Sequence, residues 1–178
     1  HGAGKIDTRY CVVCHTDQRK YGRTEATTTA TGYDSTAGTY LINGITVGNF
    51  PTQIHKIHMG HKLTKTGYNY ANFLFNHVTY PQDVRNCTKC HDGSATSTAR
   101  TGNGDNWKSV PSRLACGACH DGINFATGRG TTLADAEAGR AATSIGHIGG
   151  AKADDSQCAL CHDAAALPIY HVTVDSTG

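Results

Sequence analysis

Apolar positions in this 178-residue chain are sparse and come in short groups, and the mean hydropathy is −0.42. The clearest helical group runs from Pro51 to Met59 and ends at Gly60, a residue type that commonly follows helices. A second candidate helix runs from Thr132 to Thr143, where Thr132 and Asp135 have the spacing of a capping box. The pattern therefore predicts short α-helices separated by loops.

One segment, residues 39–48, has the pattern of a β-hairpin. Its β-branched and apolar residues flank Asn43-Gly44, which is a preferred pair for a type I′ turn. The preceding residues, 24–38, are rich in Thr, Gly and Ala and are predicted to form a loop. An isolated hairpin is marginally stable in water, so we expect this one to pack against the rest of the domain or a neighbouring subunit.

Composition limits the size of the apolar core. A chain of this length ordinarily forms one domain, and we expect a single domain over residues 1–178. The chain has 21 glycines and only 7% aromatic residues, which leaves little material for a core of protein alone. No apolar run reaches the roughly 18 residues of a membrane span. The formal charge of +2 gives no reason to expect nucleic acid as a partner.

All eight cysteines belong to four copies of Cys-x-x-Cys-His, the attachment motif of c-type haem. The copies are Cys11, Cys14 and His15; Cys87, Cys90 and His91; Cys116, Cys119 and His120; and Cys158, Cys161 and His162. Chance would produce on the order of 0.02 such motifs at this composition. The two thiols of a motif add to the vinyl groups of one porphyrin, and the histidine becomes the proximal iron ligand. We therefore predict four covalently attached haem c groups, stacked as the core of a multihaem cytochrome c.

Zinc binding and disulfide formation are the two alternative uses of the cysteines. The pairs could form zinc sites of four thiolates, or disulfides in an exported protein, but neither requires a histidine after every second cysteine. Haem attachment takes place outside the cytoplasm, so we expect an exported protein whose signal peptide was removed before His1. Short helices should present the proximal histidines, with Pro111 in the first turn of a helix that reaches His120 and with Asp154 and Asp155 as caps before the fourth motif.

Seven histidines lie outside the motifs, and four irons need four distal ligands to become six-coordinate. The seven are His1, His55, His58, His61, His77, His147 and His171. His55 and His58 share one face of the predicted helix, while His147 and His171 lie on either side of the fourth motif. We predict these four as distal ligands. Met59, the single methionine, is assigned to packing.

Four stretches resemble the pentahaem domains of the OmcA/MtrC family of outer-surface multihaem cytochromes. They are Ile54–Gly60, Tyr80–Asp92, Trp107–Asp121 and His147–Asp155. The resemblance covers about residues 50–171 and implies bis-histidine haems in a close array that passes electrons to extracellular acceptors. It also implies the same four distal ligands. The family domain has two motifs before its His-x-x-His helix, whereas this chain has one.

The predicted function is electron transfer without catalysis, because two histidines on each iron leave no open position for substrate. His1, His61 and His77 are candidate inter-subunit ligands. Through one of them the chain would form a homopolymer, a filament similar to the extracellular OmcE and OmcS cytochromes. The expected partners are redox proteins or extracellular acceptors, and the expected location is the cell surface or the extracellular space. A periplasmic tetrahaem shuttle and a multihaem reductase are the alternatives.

Overall fold

The computed structural model describes residues 8–16, 28–29, 32–33, 41–42, 45–70, 73–98, 100–140 and 145–171. The chain divides into two compact units, each made of two separate segments. The first unit comprises residues 1–79 and 114–152, and the second comprises residues 80–113 and 153–178. The assignment of residues 1–178 to a single domain stays a prediction.

The helices in the described residues are short, and loops and turns connect them. The α-helices are α1 (Thr8–Cys14), α2 (Phe50–Met59), α3 (Asn106–Ser109), α4 (Arg113–Cys119), α5 (Leu133–Glu137) and α6 (Ala166–His171). Single 3-10 turns cover Gly60–Lys62, Phe75–His77, Cys87–Lys89 and Cys158–Leu160. None of the helices described is both long and apolar enough to cross a membrane.

The described strands form two-stranded antiparallel pairs. They are β1 (Thr28–Thr29) with β2 (Gly32–Tyr33), β3 (Leu41–Ile42) with β4 (Ile45–Thr46), β5 (Asn69–Tyr70) with β6 (Phe73–Leu74), and β7 (Ile123–Asn124) with β8 (Arg129–Gly130). The β3–β4 pair confirms the predicted hairpin, although its turn residues, Asn43 and Gly44, lie outside the described residues. The prediction of one hairpin is wrong in number, because strands of two residues are too short to show an alternating pattern.

Helix α2 confirms the strongest helical prediction, with Phe50 added at its start. Pro51 lies in the first turn, where its missing N–H leaves no hydrogen bond unmade. The helix ends at Gly60, whose backbone N–H donates to the carbonyl of Lys56 and whose φ is +52°. Thr52, Lys56 and Met59 form its buried face.

Three finer helix predictions were wrong: the end of α5, the position of Pro111 relative to α4, and the capping roles of Asp154 and Asp155. Thr132 does cap α5, where its hydroxyl accepts from the backbone N–H of Asp135 at 3.1 Å, but the helix ends at Glu137 rather than Thr143. It stops there because Gly139 takes a φ of +66°. Pro111 lies two residues before α4 instead of in its first turn.

Asp154 and Asp155 do not cap the turn at the fourth motif, where the cap position belongs to Gln157. The Asp154 carboxylate accepts instead from the backbone N–H of Ser156 at 2.9 Å. Asp155 accepts from the backbone N–H and the Nε of Arg113, at 3.0 and 2.8 Å. These carboxylates therefore tie loops together within the second unit rather than starting a helix.

The apolar core is small. In the first unit the buried apolar side chains described are Val47, Met59, Leu63, Tyr68, Tyr70, Phe75 and Ala118. In the second unit the buried apolar side chain described is Leu167. Such a core is too small to offset the conformational entropy of ordering a chain of this length.

We expect Gly60→Ala to destabilise the protein by about 1 to 3 kcal/mol, since only glycine readily adopts this backbone conformation. An added Cβ would also overlap the carbonyl oxygen of Val78. Denaturant titration of the holoprotein followed by far-UV circular dichroism measures the effect. Gly102→Ala is the matched control, because its φ is not positive and no atom lies within 4 Å of the added Cβ. Equal stability of the two variants would contradict this account.

Candidate haem-binding site

The four Cys-x-x-Cys-His motifs share one backbone geometry. In each, the backbone N–H of the histidine donates to the carbonyl of the first cysteine. The distances are 2.9 Å for His15 to Cys11, 2.8 Å for His91 to Cys87, 2.8 Å for His120 to Cys116 and 3.0 Å for His162 to Cys158. This bond closes one helical turn, so the residues at i, i+3 and i+4 lie on one face. Both thiols and the imidazole of a motif can therefore reach the same porphyrin.

The motifs are divided equally between the units. The first is at the end of α1 and the third is at the end of α4, both in the first unit. The second and fourth lie on 3-10 turns of the second unit. Each unit thus holds two attachment turns.

The thiols are available for attachment. All eight lie among the described residues, and all are free and at least partly exposed. They form no disulfides. Among the described residues, no three His, Cys, Asp or Glu side chains are grouped to hold a metal ion, so the four-thiolate zinc alternative is not supported. Partly exposed free thiols are the groups that thioether attachment of haem requires.

Two of the histidines predicted as proximal ligands contact the backbone through their rings. The Nδ1 of His15 lies 3.0 Å from the carbonyl of Gly48, at the turn before α2. Partial burial lowers the pKa of His91 below its usual value, and a hydrogen bond to the backbone of Gly104 opposes that shift. A lowered pKa keeps the imidazole neutral, which is the form that binds iron.

The four histidines predicted as distal ligands are all half-buried, and the Nδ1 of each lies within hydrogen-bond distance of a backbone carbonyl. The carbonyls are those of Pro51 for His55 (2.7 Å), Ile54 for His58 (2.9 Å), Gly150 for His147 (2.8 Å) and Leu167 for His171 (2.8 Å). Because a carbonyl only accepts, Nδ1 carries the proton and Nε2 keeps its lone pair. Metal-ligating histidines are commonly oriented in this way.

His171 also lies beside the second attachment motif. The Cys87 thiol donates to the backbone carbonyl of His171 at 3.3 Å. Burial raises the pKa of Cys87 above its ordinary value. Helix α6 therefore brings a predicted distal ligand to the second motif, although in sequence it follows the fourth.

The three surplus histidines differ from one another. His61 is exposed, and its Nδ1 lies 3.3 Å from the carbonyl of Val78. His77 is exposed as well, and no side-chain hydrogen bond links it to another described residue. His1 lies outside the described residues. Of the two described, only His61 has the Nδ1 arrangement of the predicted ligands.

Exposed apolar side chains lie next to the candidate ligands in the sequence. They are Tyr10, Val12, Val13, Ile145, Ile148, Leu160, Ile169 and Tyr170. Ile148, beside His147, is 99% exposed, and Leu160, inside the fourth motif, is 79% exposed. Clusters of exposed apolar side chains mark surfaces that bind another apolar surface.

One buried polar atom also fits a bound haem. The indole Nε1 of Trp107 is buried and lacks a hydrogen-bond partner among the described residues. Buried N–H groups are seldom left unpaired, so this donor needs an acceptor. A haem carries two propionate groups that could accept from it. The thiols and the imidazoles of the four motifs therefore fit the predicted cofactor, and the Trp107 indole leaves a donor for which a propionate is a suitable acceptor.

Lys56 is a residue that the sequence analysis missed. It is 3% exposed, and its Nζ lies 3.4 Å from the hydroxyl of Tyr68 and 4.4 Å from the centre of that ring. Burial lowers the pKa of Lys56 to about 8, although the nearby Asp121 carboxylate raises it in part. A signal was present, because a lysine on the buried face of the His-x-x-His helix needs a partner.

The comparisons with known proteins cover nearly the whole length of the chain. A family model described as outer membrane cytochrome MtrC/MtrF-like, domains II/IV, matches residues 1–172. Among solved structures, the chain is similar to MtrC from Shewanella baltica OS185, with 20% sequence identity and a TM-score of 0.48. That similarity covers 96% of this chain and 18% of the MtrC chain, so this chain spans less than a fifth of that protein. No curated protein matches the chain.

We expect the double variant Cys116→Ser, Cys119→Ser to carry three haems where the unaltered protein carries four, because serine forms no thioether bond. A pyridine haemochrome assay, normalised to protein concentration, counts them. The control is Ser109→Ala, which lies in the same stretch and leaves all the thiols in place. A colourless unaltered holoprotein, without a Soret band, would contradict the haem assignment entirely.

Proposed function

The chain belongs to the MtrC/MtrF-like family of outer membrane cytochromes, and we propose that it binds four haem c groups and conducts electrons between them in extracellular electron transfer. The observation that carries the proposal is that the chain has as many half-buried candidate distal histidines as it has haem-attachment motifs. Four attachment turns accompany four half-buried histidines whose Nδ1 atoms are held by backbone carbonyls, while His61, which has the same Nδ1 contact, is exposed. Family membership agrees with the resemblance found in the sequence.

In this proposal each iron has two histidine ligands. The proximal ligands are His15, His91, His120 and His162, and the distal ligands are His55, His58, His147 and His171. Haem supplies an iron that alternates between the ferric and ferrous states by gaining or losing one electron. With both axial positions filled by the protein, no position remains for a substrate, so the function is transfer and not catalysis.

The backbone carbonyls fix the orientation of the distal rings. His55, His58 and His171 each bond to the carbonyl four residues earlier in their own helix, an acceptor whose place is set by the helix itself. His147 bonds instead across a turn to Gly150. Rings held in this way keep the same orientation in both oxidation states, so electron transfer requires little rearrangement.

We also propose a location and an assembly. As a haem c protein the chain is exported, and it acts at the cell surface or outside the cell with redox proteins or extracellular acceptors. Copies associate into a filament in which His61 of one copy ligates an iron of the next, in place of one of the ligands within the chain. Its exposed ring and the contact of its Nδ1 with Val78 support His61 over His77 for this role.

Replacing one distal histidine should leave one haem iron with five ligands instead of six. We expect His147→Ala to convert one of the four haems from low-spin to high-spin ferric, seen by electron paramagnetic resonance, and to let the reduced protein bind carbon monoxide at that haem. His77→Ala is the control, since its exposed ring bonds to no other described side chain, and it should keep four low-spin haems. A high-spin haem in the unaltered protein would favour the reductase instead.

The assembly proposal has its own measurement. Sedimentation velocity and negative-stain electron microscopy over a range of concentrations should show filaments of the unaltered protein. His61→Ala should stay monomeric, while His77→Ala should still assemble. Unaltered protein that remains monomeric at high concentration with four six-coordinate haems would contradict the filament and favour the periplasmic shuttle.

A further inference from the structure

A buried charged network connects helix α2 to the third attachment motif. The Nζ of Lys56 lies 3.4 Å from the carbonyl of Gly117 and 3.2 Å from that of Ala118. These two residues stand between the cysteines of that motif. The ammonium is therefore held against the segment that would carry the haem, and it lies within the first unit together with that motif.

The negative end of the network is Asp121, which directly follows the proximal His120. Its carboxylate accepts from the hydroxyl of Tyr68 at 2.7 Å and from the backbone N–H groups of Thr64 and Lys65 at 2.8 and 2.9 Å. Asp121 is 5% exposed. These three donors satisfy the hydrogen-bonding requirement of the buried carboxylate.

Tyr68 links the two charges. Its hydroxyl accepts from Lys56 and donates to Asp121, and its side chain is fully buried. If Lys56 served only to attach α2 to the third motif, its burial would cost more free energy than that of a neutral donor. A neutral donor could bond the same carbonyls with a smaller desolvation penalty. The position of the charges suggests an electrostatic role. Inside a protein such charges are weakly screened, and each acts strongly on a neighbouring group that gains an electron.

We propose that Lys56 and Asp121 set the reduction potential of the haem bound at Cys116 and Cys119, Lys56 raising it and Asp121 lowering it. A nearby positive charge stabilises the reduced haem and a nearby negative charge stabilises the oxidised one. Both residues act on the iron electrostatically through space, and neither of them ligates it. This inference rests on the proposed function, because it requires a haem at the third motif.

The test compares charge changes of opposite sign in the holoprotein. Spectroelectrochemical titration measures the sum of the four midpoint potentials. Lys56→Met should lower it and Asp121→Asn should raise it, each by about 59 mV, which corresponds to a tenfold change in the oxidised-to-reduced ratio of one haem. The double variant should lie between the two. A merely structural role would shift both single variants in the same direction, because each loosens the same contacts.

Three further variants separate charge from packing. Lys56→Arg keeps the positive charge, and Tyr68→Phe keeps both charges while removing the hydroxyl between them, so both should stay close to the unaltered protein. Lys62→Met removes an exposed charge just beyond the same helix and should also have little effect. If Asp121→Asn does not fold and incorporate haem, the midpoint potentials of Lys56→Met and Lys56→Arg test the inference instead. Equal potentials for those two would overturn the inference.

Failure of the inference can be told from failure of the proposed function. Peptide mass spectrometry of the unaltered protein should find haem on Cys116 and Cys119, and its absence there would overturn the proposed function and this inference together. Four haems on the protein with potentials that do not respond to Lys56→Met would overturn this inference alone.

Discussion

All four attachment motifs share one hydrogen bond, from the backbone N–H of the histidine to the carbonyl of the first cysteine. Without that turn the two thiols and the imidazole would not share a face, and no single porphyrin could be reached by all three. The turn needs only five residues, so it forms equally in an α-helix such as α4 or in a 3-10 turn such as Cys158–Leu160. Longer regular structure is not required, and the described elements are correspondingly short.

The short elements and the small core have the same cause. Apolar side chains that would normally be buried, such as Val13 at 73% exposed and Leu160 at 79%, lie inside attachment motifs. These side chains lie between the two cysteines of their motifs, and the buried indole N–H of Trp107 lacks a partner among the described residues. We expect the predicted haems to supply buried apolar surface that the described polypeptide lacks, so the short elements and the small core go together.

What the sequence predicted well was local. The attachment motifs, helix α2 and the β3–β4 hairpin all depend on residues within ten positions of one another. The remaining strand pairs were missed because two-residue strands show no alternating pattern. Helix α5 is shorter than predicted because Gly139 takes a positive φ that ends the helix. The contact of Lys56 with Ala118 joins residues 62 positions apart, and no local pattern indicates it. The distal ligand set remains a prediction, based on histidine supply and family resemblance.

In the proposed assignment, helix α2 combines two functions, haem ligation and charge placement, through the angular spacing of its residues. His55 and His58, three positions apart, project from one side, while Lys56 is rotated by about 100° from His55 and is buried on another. Any rotation of the helix that moved the two rings would also withdraw the ammonium from the carbonyls of the third motif. Gly60 fixes the end of the helix against Val78 and so limits that rotation. Ligand geometry and local charge are therefore not independent variables in this fold, because one short helix sets both.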